Sequence, residues 1–205
     1  MNKSTLSILV LAIVYSVGIV GIKFNIFGDI LSLTPLNLLF SLAVLLWNHD
    51  NWNRKFLTAI TVVALAGFFV EVAGVQTGVI FGTYTYGQTL GLQWLDVPLT
   101  MAVNWLILVY CTAAIMSKYD WSVPMKALIG AVMMTSMDAI IEPVAIRYDF
   151  WHWAGGAIPV QNYLAWGIIS FLLLTFFHKL VPSINNKVAL ALFLFQIIFF
   201  VCLLF

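Results

Sequence analysis

The stretch from Met137 to Trp153, "MDAIIEPVAIRYDFWHW", carries two carboxyl side chains in a run otherwise suited to lipid. Asp138 and Glu142 are four residues apart, so an α-helix places them on one face, one turn from each other. Ionisable residues within membrane spans are rare and usually mark a functional site. The stretch therefore predicts a spanning helix that carries a buried acidic site.

The whole chain has the composition of an integral membrane protein. It has 205 residues, of which 63% are hydrophobic and 8% are charged. Soluble domains have about 45–50% apolar and about 25% charged residues. We expect an all-α, polytopic helical bundle that forms a single integral membrane domain over residues 1–205 in a bacterial inner membrane. A net charge of +1 leaves no basic surface for nucleic acid.

Hydropathy predicts seven membrane spans, since each needs about 20 mostly apolar residues. The distribution of lysine and arginine then predicts a cytoplasmic N-terminus by the positive-inside rule. The spans are 4–23, 29–47, 56–79, 97–117, 123–146, 159–178 and 187–205. The basic residues assigned to the cytoplasmic side are Lys3, Arg54, Lys55, Lys118, Lys126, Lys179 and Lys187.

Three acidic residues lie within the predicted spans. Glu71 and Asp138 are about equally far into the third and fifth spans, which run in the same direction, so both are expected at similar depth. Glu142 is one turn further toward the outer face. We expect the three carboxyl groups to converge on one interior site.

The middle of the chain reads as a tandem repeat of two-helix units in parallel orientation, spans 3–4 and spans 5–6. Acids, aromatic residues and prolines recur in the same order, and "VPLTMAVNW" resembles "IPVQNYLAW". Membrane proteins with such repeats commonly place their site where the repeats meet. The matched positions are Glu71 with Asp138, Tyr84 with Trp151, Tyr86 with Trp153, Pro98 with Pro159, and Trp105 with Trp166.

The sequence lacks the residue patterns that metal, nucleotide or retinal chemistry would need. The three histidines show no paired metal-ligand spacing, so no metal site is predicted, and no phosphate-binding glycine motif is present. Seven spans also occur in retinal proteins, but the last span has only Lys187, at its start, and no central lysine for a Schiff base. Carboxyl, aromatic and amide side chains remain, a set that suits acid catalysis on an apolar substrate without a cofactor.

Four blocks of this sequence resemble the carotenoid 1,2-hydratase family, which includes the bisanhydrobacterioruberin hydratases. The blocks are "EVAGVQTGVIFGTYTYG", "DVPLTMAVNW", "DAIIEPVAIRYDFWHW" and "IPVQNYLAWGIIS". The loops are most similar to those of Bacteroidota-like members. The resemblance implies that water adds across the terminal 1,2 double bond of an acyclic carotenoid, lycopene or a relative, to give a tertiary alcohol. It implies no cofactor and a substrate that enters from the lipid bilayer.

The residues suggest how such a reaction would run. Desolvation favours the neutral form of a carboxyl group, so one of Asp138, Glu142 and Glu71 would protonate the alkene while another accepts a proton from water. Aromatic faces would shelter the carbocation, and two asparagines would position the water. The aromatic candidates are Tyr84, Tyr86, Trp105, Trp151, Trp153 and Trp166; the asparagines are Asn104 and Asn162.

Each candidate also has a purely structural interpretation. Glu71 or Asp138 could be bonded to a tyrosine hydroxyl or an asparagine for stability alone. Glu142 and Pro143 could mark a helix end near the lipid headgroups. The aromatic side chains could form an interfacial belt, and the asparagines could join helices.

Three other functions are compatible with the same residues. A carotenoid end-group cyclase also begins by protonating an alkene. A proton-coupled transporter also carries intramembrane acids and repeats. A non-catalytic carotenoid-binding protein would tolerate alanine at the acidic positions. The sequence does not assign acid and base among the three carboxyl groups, and it does not give the oligomeric state.

Overall fold

A computed structural model describes residues 1–26 and 28–205 and shows an all-α bundle of apolar helices, as predicted. A short 3₁₀ turn, Ile30–Leu33, precedes the second helix. The helices in the described residues are α1 (Lys3–Phe24), α2 (Thr34–Trp47), α3 (Arg54–Thr77), α4 (Thr100–Met116), α5 (Val123–Arg147), α6 (Val160–Leu180) and α7 (Lys187–Leu204).

Six helical segments of the described chain are long and apolar enough to cross a membrane, and the 3₁₀ turn is part of the second. Their outward faces carry exposed aliphatic side chains such as Leu65, Leu164 and Ile168. In water such an apolar surface would cause aggregation, but in a bilayer these side chains face lipid. The protein is therefore an integral membrane protein.

Helix α4 is the central helix of the bundle and is shorter than predicted. It has 17 residues, and it packs against α2, α3, α5, α6 and α7. Every residue from Trp105 to Ala114 is buried. The predicted span began too early because Val97 and Pro98 form a short strand instead of the first helical turn.

Polar residues at the helix ends set the boundaries of the spans. The Asn53 side chain accepts a hydrogen bond from the Phe56 N–H at the start of α3, and Asn186 caps α7 in the same way. Gly78 ends α3 with a φ of 66°, a left-handed conformation that glycine adopts readily. The apolar helices thus begin and end where polar or glycine residues take over.

Four short strands join the helices at one end of the bundle, which we call the strand end. β1 (Tyr84–Tyr86) pairs antiparallel with β4 (Trp151–Trp153), and β2 (Gln93–Trp94) pairs with β3 (Val97–Pro98). The seven basic residues assigned to the cytoplasm lie at or beyond the opposite helix ends. The cytoplasmic location of the end opposite the strand end remains a prediction.

The β1–β4 register supports the predicted repeat. Tyr84 pairs with Trp153, Thr85 with His152, and Tyr86 with Trp151. In the repeat, Tyr84 corresponds to Trp151 and Tyr86 to Trp153, so each tyrosine pairs with the counterpart of the other tyrosine. A two-fold relation between the units produces this crossed pairing. The corresponding residues Trp105 and Trp166 stack face to face, with ring centroids 4.2 Å apart. The two units therefore meet symmetrically at the strand end.

Candidate active site

Helix α3 provides the first carboxyl group of the site. Glu71 is buried and accepts three hydrogen bonds. The hydroxyl groups of Tyr84 and Tyr86 donate to its Oε2 at 2.6 Å and 2.7 Å. Trp105 Nε1 donates to its Oε1 at 2.8 Å. Three donors stabilise the ionised form of a carboxyl group.

Two glycines allow these donors to reach Glu71. Gly67 and Gly74 lie one turn before and almost one turn after Glu71, on the same face of α3. A Cβ atom on Gly67 would lie 2.5 Å from the Trp105 Cβ. A Cβ atom on Gly74 would lie 2.6 Å from the Phe81 ring and 3.0 Å from the Tyr84 hydroxyl. Small residues are thus required on both sides of Glu71.

The two tyrosines remain hydrogen-bond donors over a wide pH range. Burial, followed by the negative Glu71 carboxylate, raises the pKa of Tyr84 and of Tyr86 well above the usual tyrosine value. Neither hydroxyl is therefore ionised near neutral pH. Glu71 faces a fixed set of O–H and N–H donors.

Helix α5 provides the other two carboxyl groups. Glu142 Oε2 accepts hydrogen bonds from Trp151 Nε1 at 3.0 Å and from Trp153 Nε1 at 2.9 Å. Its Oε1 accepts from Asn162 Nδ2 at 3.1 Å. The helix continues through Pro143 to Arg147, so Glu142 does not mark a helix end, and its side chain is only 1% exposed.

Asp138 has fewer donors than its neighbours. Asn162 Nδ2 donates to its Oδ2 at 2.7 Å, and among the described residues no other side chain donates to it. Asp138 is 1% exposed and one turn from Glu142. Two carboxyl groups that are this close disfavour double ionisation. With one donor against three, Asp138 is the group of the pair better suited to hold a proton.

The second repeat unit differs from the first at two polar positions of the site. Glu142 and Asn162 occupy the positions that Val75 and Met101 occupy in the first unit. The first unit therefore has one carboxyl group with three donors, whereas the second has a carboxyl pair bridged by an amide.

All three carboxyl groups line one small cavity at the strand end. Its volume is about 20 Å³. A cavity needs about 10–15 Å³ of this kind of volume to hold one water molecule. The remaining walls are aromatic rings, Met101 and Asn162. The space therefore fits a single water molecule in contact with carboxyl groups. The lining residues are Glu71, Phe81, Tyr84, Tyr86, Met101, Asp138, Glu142, Trp151, Trp153, Asn162 and Trp166.

A second, larger cavity adjoins the first. Its volume is about 280 Å³, and its walls, from α1, α2, α4, α5, α7 and nearby loops, are mostly apolar. Met101 and Trp151 line both cavities. Ile13, Val17 and Leu33 line the larger one and are also exposed at the bundle surface, so it opens sideways toward the membrane. The larger cavity is therefore a mostly apolar space that is separated from the carboxyl-lined cavity by the shared residues Met101 and Trp151.

Most of the residues proposed from the sequence meet at this site, but two have other positions. Trp105 lies behind Glu71 and is not part of the described lining of either cavity. Asn104 lines the larger cavity, away from the water-sized one. The aromatic side chains of β1 and β4 are hydrogen-bonded to carboxyl groups and do not form an interfacial belt.

Sequence reasoning missed most of the larger cavity. Leu90, Met101 and Ile141 line it and are ordinary apolar residues in the sequence, with no signal that they border a site. Asn37 and Gln196 had such a signal, since both are polar residues within predicted spans. Among the described residues no three His, Cys, Asp or Glu side chains are grouped so as to hold a metal ion.

This arrangement defines a helical membrane protein with a buried acid site beside a larger apolar cavity. The chain belongs to the carotenoid biosynthesis protein family, which matches residues 33–205. It is also similar to the bisanhydrobacterioruberin hydratase of Haloarcula japonica, with 27% identity over 135 residues, 60% of this chain. The match covers 46% of that relative, so it spans about half of the relative's length. No solved structure matches.

Proposed function

We propose that the protein is a carotenoid hydratase that adds water across the terminal 1,2 double bond of an acyclic carotenoid end group. The product is a tertiary alcohol. The observation that carries the proposal is the water-sized cavity, which is lined by three carboxyl groups and shares Met101 and Trp151 with an apolar cavity. In this proposal the alkene end lies in the apolar cavity and the water molecule in the small one, and they meet at the wall that the two cavities share.

Asp138 is the proposed acid. Its proton adds to carbon 2, the π electrons form the new carbon–hydrogen bond, and the positive charge is left on carbon 1. The single hydrogen bond to Asp138 supports this role, since it leaves the other carboxyl oxygen available to carry the proton. The neighbouring Glu142 favours the protonated form of Asp138 for as long as Glu142 is ionised.

Glu142 is the proposed base. The water oxygen bonds to carbon 1, and the water releases one proton to Glu142. Asn162 holds both acids, so the proton can return from Glu142 to Asp138 over a short path. The net reaction adds one water molecule and restores both carboxyl groups. Each step uses side chains of this chain and water, so the proposal includes no cofactor.

Glu71 and the aromatic rings would stabilise the carbocation. Glu71 accepts three hydrogen bonds that favour its ionised form, and it borders the same cavity. In this proposal its carboxylate faces the developing positive charge. Trp151 borders both cavities and would offer its ring to the cation. Trp105 acts only indirectly in this scheme, because it positions Glu71.

Expression in a lycopene-accumulating bacterium tests the proposal. We expect pigments from wild-type cells to gain the mass of one water molecule per reacted end. A shift in chromatographic retention without a change in mass would instead identify a cyclase, which also starts from alkene protonation. Unchanged pigments with the protein folded in the inner membrane would leave a binding or transport role. Hydration is favoured over cyclisation because the water-sized cavity beside the carboxyl groups supports the addition of water.

A further inference from the structure

The two repeat units use their matching tryptophans differently. In the first unit, Trp105 Nε1 donates to Glu71 Oε1 at 2.8 Å. Its counterpart in the second unit is Trp166, and the two rings are stacked with their centroids 4.2 Å apart. Asp138 is the counterpart of Glu71, but the side chain that donates to it is Asn162. The indole donor that binds the carboxyl group in the first unit is therefore not used in this way in the second.

The Trp166 N–H is a donor without an acceptor inside a buried site. Trp166 is 5% exposed and borders the water-sized cavity. Among the described residues its Nε1 makes no hydrogen bond, whereas Trp105, Trp151 and Trp153 all donate to carboxyl oxygens. It is also not one of the unpartnered polar atoms that are closed off from all accessible space. Since a buried indole N–H usually has a partner, this donor points to a hydrogen-bond acceptor in the cavity.

The lengths of the two acids explain why the second unit has room for that acceptor. Aspartate has one methylene group fewer than glutamate, so the reach of Asp138 is shorter than that of Glu71 by about 1.5 Å, one carbon–carbon bond. Trp166 is held by its stack on Trp105 and does not close the difference. The cavity that Asp138 and Trp166 both border has a volume of about 20 Å³, enough for one water molecule.

We propose that the Trp166 N–H binds the water molecule of the small cavity and holds it beside the carboxyl groups. The indole N–H donates to one lone pair of the water oxygen. The water can then donate one hydrogen to Glu142 and keeps its second lone pair for the new bond to carbon 1, while its proton passes to Glu142. The binding of water stands on the cavity and the indole alone. Only the statement that this water reacts rests on the proposed hydratase function.

NMR of the indole groups tests the bound water directly. Full-length protein with isotope-labelled tryptophan in detergent micelles would be examined for magnetisation transfer from water to each indole N–H, and Trp166→Phe would assign the signal. We expect transfer to Trp166 and none to Trp105, because Glu71 occupies the Trp105 N–H. The exposed Trp52 is the positive control. Absence of transfer to Trp166 in the wild type would overturn the inference.

A longer acid in the second unit should displace the water. In Asp138→Glu the carboxyl group gains the length that allows Glu71 to accept from Trp105, so it should accept from Trp166 in the same way. We expect the transfer from water to the Trp166 N–H to disappear in this variant. An unchanged transfer would also overturn the inference.

Turnover separates the bound water from the packing of the ring. Trp166→Phe keeps an aromatic face and loses the N–H, so we expect kcat to fall about tenfold, the scale of one hydrogen bond, with an unchanged KM for lycopene. Trp105→Phe is the matched control, which should lower thermal stability and retain the transfer from water to Trp166. An unchanged kcat in Trp166→Phe would overturn the inference. Transfer to Trp166 in a protein that forms no hydrated product would count against the proposed function alone.

Discussion

Asp138 and Glu142 share one hydrogen-bond donor. Asn162 Nδ2 lies 2.7 Å from Asp138 Oδ2 and 3.1 Å from Glu142 Oε1, and all three side chains are buried. The amide fixes the distance between the two acids while neither makes a hydrogen bond to the other in the described residues. This geometry suits a proton that leaves from one carboxyl group and returns by way of the other.

Replacement of the shared donor should disable the acid pair without unfolding the protein. Asn162→Met introduces the residue that occupies the corresponding position, Met101, in the first repeat unit. We expect hydration to fall by about a hundredfold, the size of effect seen when one preorganised donor is removed. Pigment analysis by mass spectrometry measures the loss. Met101→Leu is the control for a change of cavity shape, and an equal loss in both variants would argue against a specific role for the amide.

The two glutamates should respond differently to neutralisation. Glu142→Gln removes the proposed base, so we expect a loss of about 10²–10⁴-fold in hydration, the usual contribution of a general base. Glu71→Gln removes the carboxylate and also replaces one acceptor oxygen with an NH2 donor, which must face either the Tyr84 and Tyr86 hydroxyls or the Trp105 N–H. We therefore expect the second variant to lower thermal stability as well as rate. Turnover in reconstituted vesicles and thermal unfolding separate the two effects, and identical behaviour of the two variants would contradict the assigned roles.

Replacement of Gly74 by alanine should displace Tyr84 from its hydrogen bond with Glu71. The added Cβ would lie 2.6 Å from the Phe81 ring and 3.0 Å from the Tyr84 hydroxyl, so Tyr84 would lose its position on Glu71. Overpacking of this kind costs about 1–3 kcal/mol, which thermal unfolding of Gly74→Ala would detect. Gly167→Ala is the matched control, because its nearest neighbour is Thr135 Oγ1 at an ordinary 3.7 Å. Equal stability of the two variants would show that the close contacts at position 74 do not require glycine.

Acid should loosen the turn before β4. A hydrogen bond with His152, 2.7 Å from Asp149 Oδ1, and a second from the Gln88 N–H lower the pKa of Asp149. A carboxyl group with a lowered pKa stabilises the folded turn above its unfolded pKa, and this contribution is lost as the pH falls through the folded value. Protection from hydrogen exchange at residues 84–88 and 149–153, taken relative to the intrinsic exchange rate at each pH, should therefore fall in acid. Asp149→Asn should remove that pH dependence, and an unchanged dependence in the variant would assign it to another group.

Much of the fold follows from the sequence because the bilayer leaves few alternatives. Seven apolar segments with polar ends predicted the seven helices, and the largest differences are at two helix starts. Helix α2 begins at Thr34 because Ile30–Leu33 forms a 3₁₀ turn, and α4 begins at Thr100 because Val97 and Pro98 pair with another strand. The repeat was visible because it retained acids, prolines and aromatic residues. The crossed β1–β4 register was not predictable, since it depends on how the two units face each other.

The site was predictable only in part for a similar reason. Glu71, Asp138 and Glu142 were recognisable as carboxyl groups within spans, where burial is costly. Their individual donors depend on side-chain positions that no spacing rule gives. Tyr84 and Tyr86 bond Glu71, whereas Trp151 and Trp153 bond Glu142. Asn104 and Asn162 are both asparagines, but Asn104 lines the larger cavity and Asn162 lines the water-sized one.

The most direct test of the central claim is the position of isotopes in the product. Purified wild-type protein in vesicles would receive lycopene in deuterated, heavy-oxygen water, and the product would be examined by mass spectrometry and NMR, with Asp138→Asn in parallel. The account predicts deuterium on carbon 2 and heavy oxygen on carbon 1, with both absent in the variant. A product without heavy oxygen, or full incorporation of both isotopes by Asp138→Asn, would contradict it.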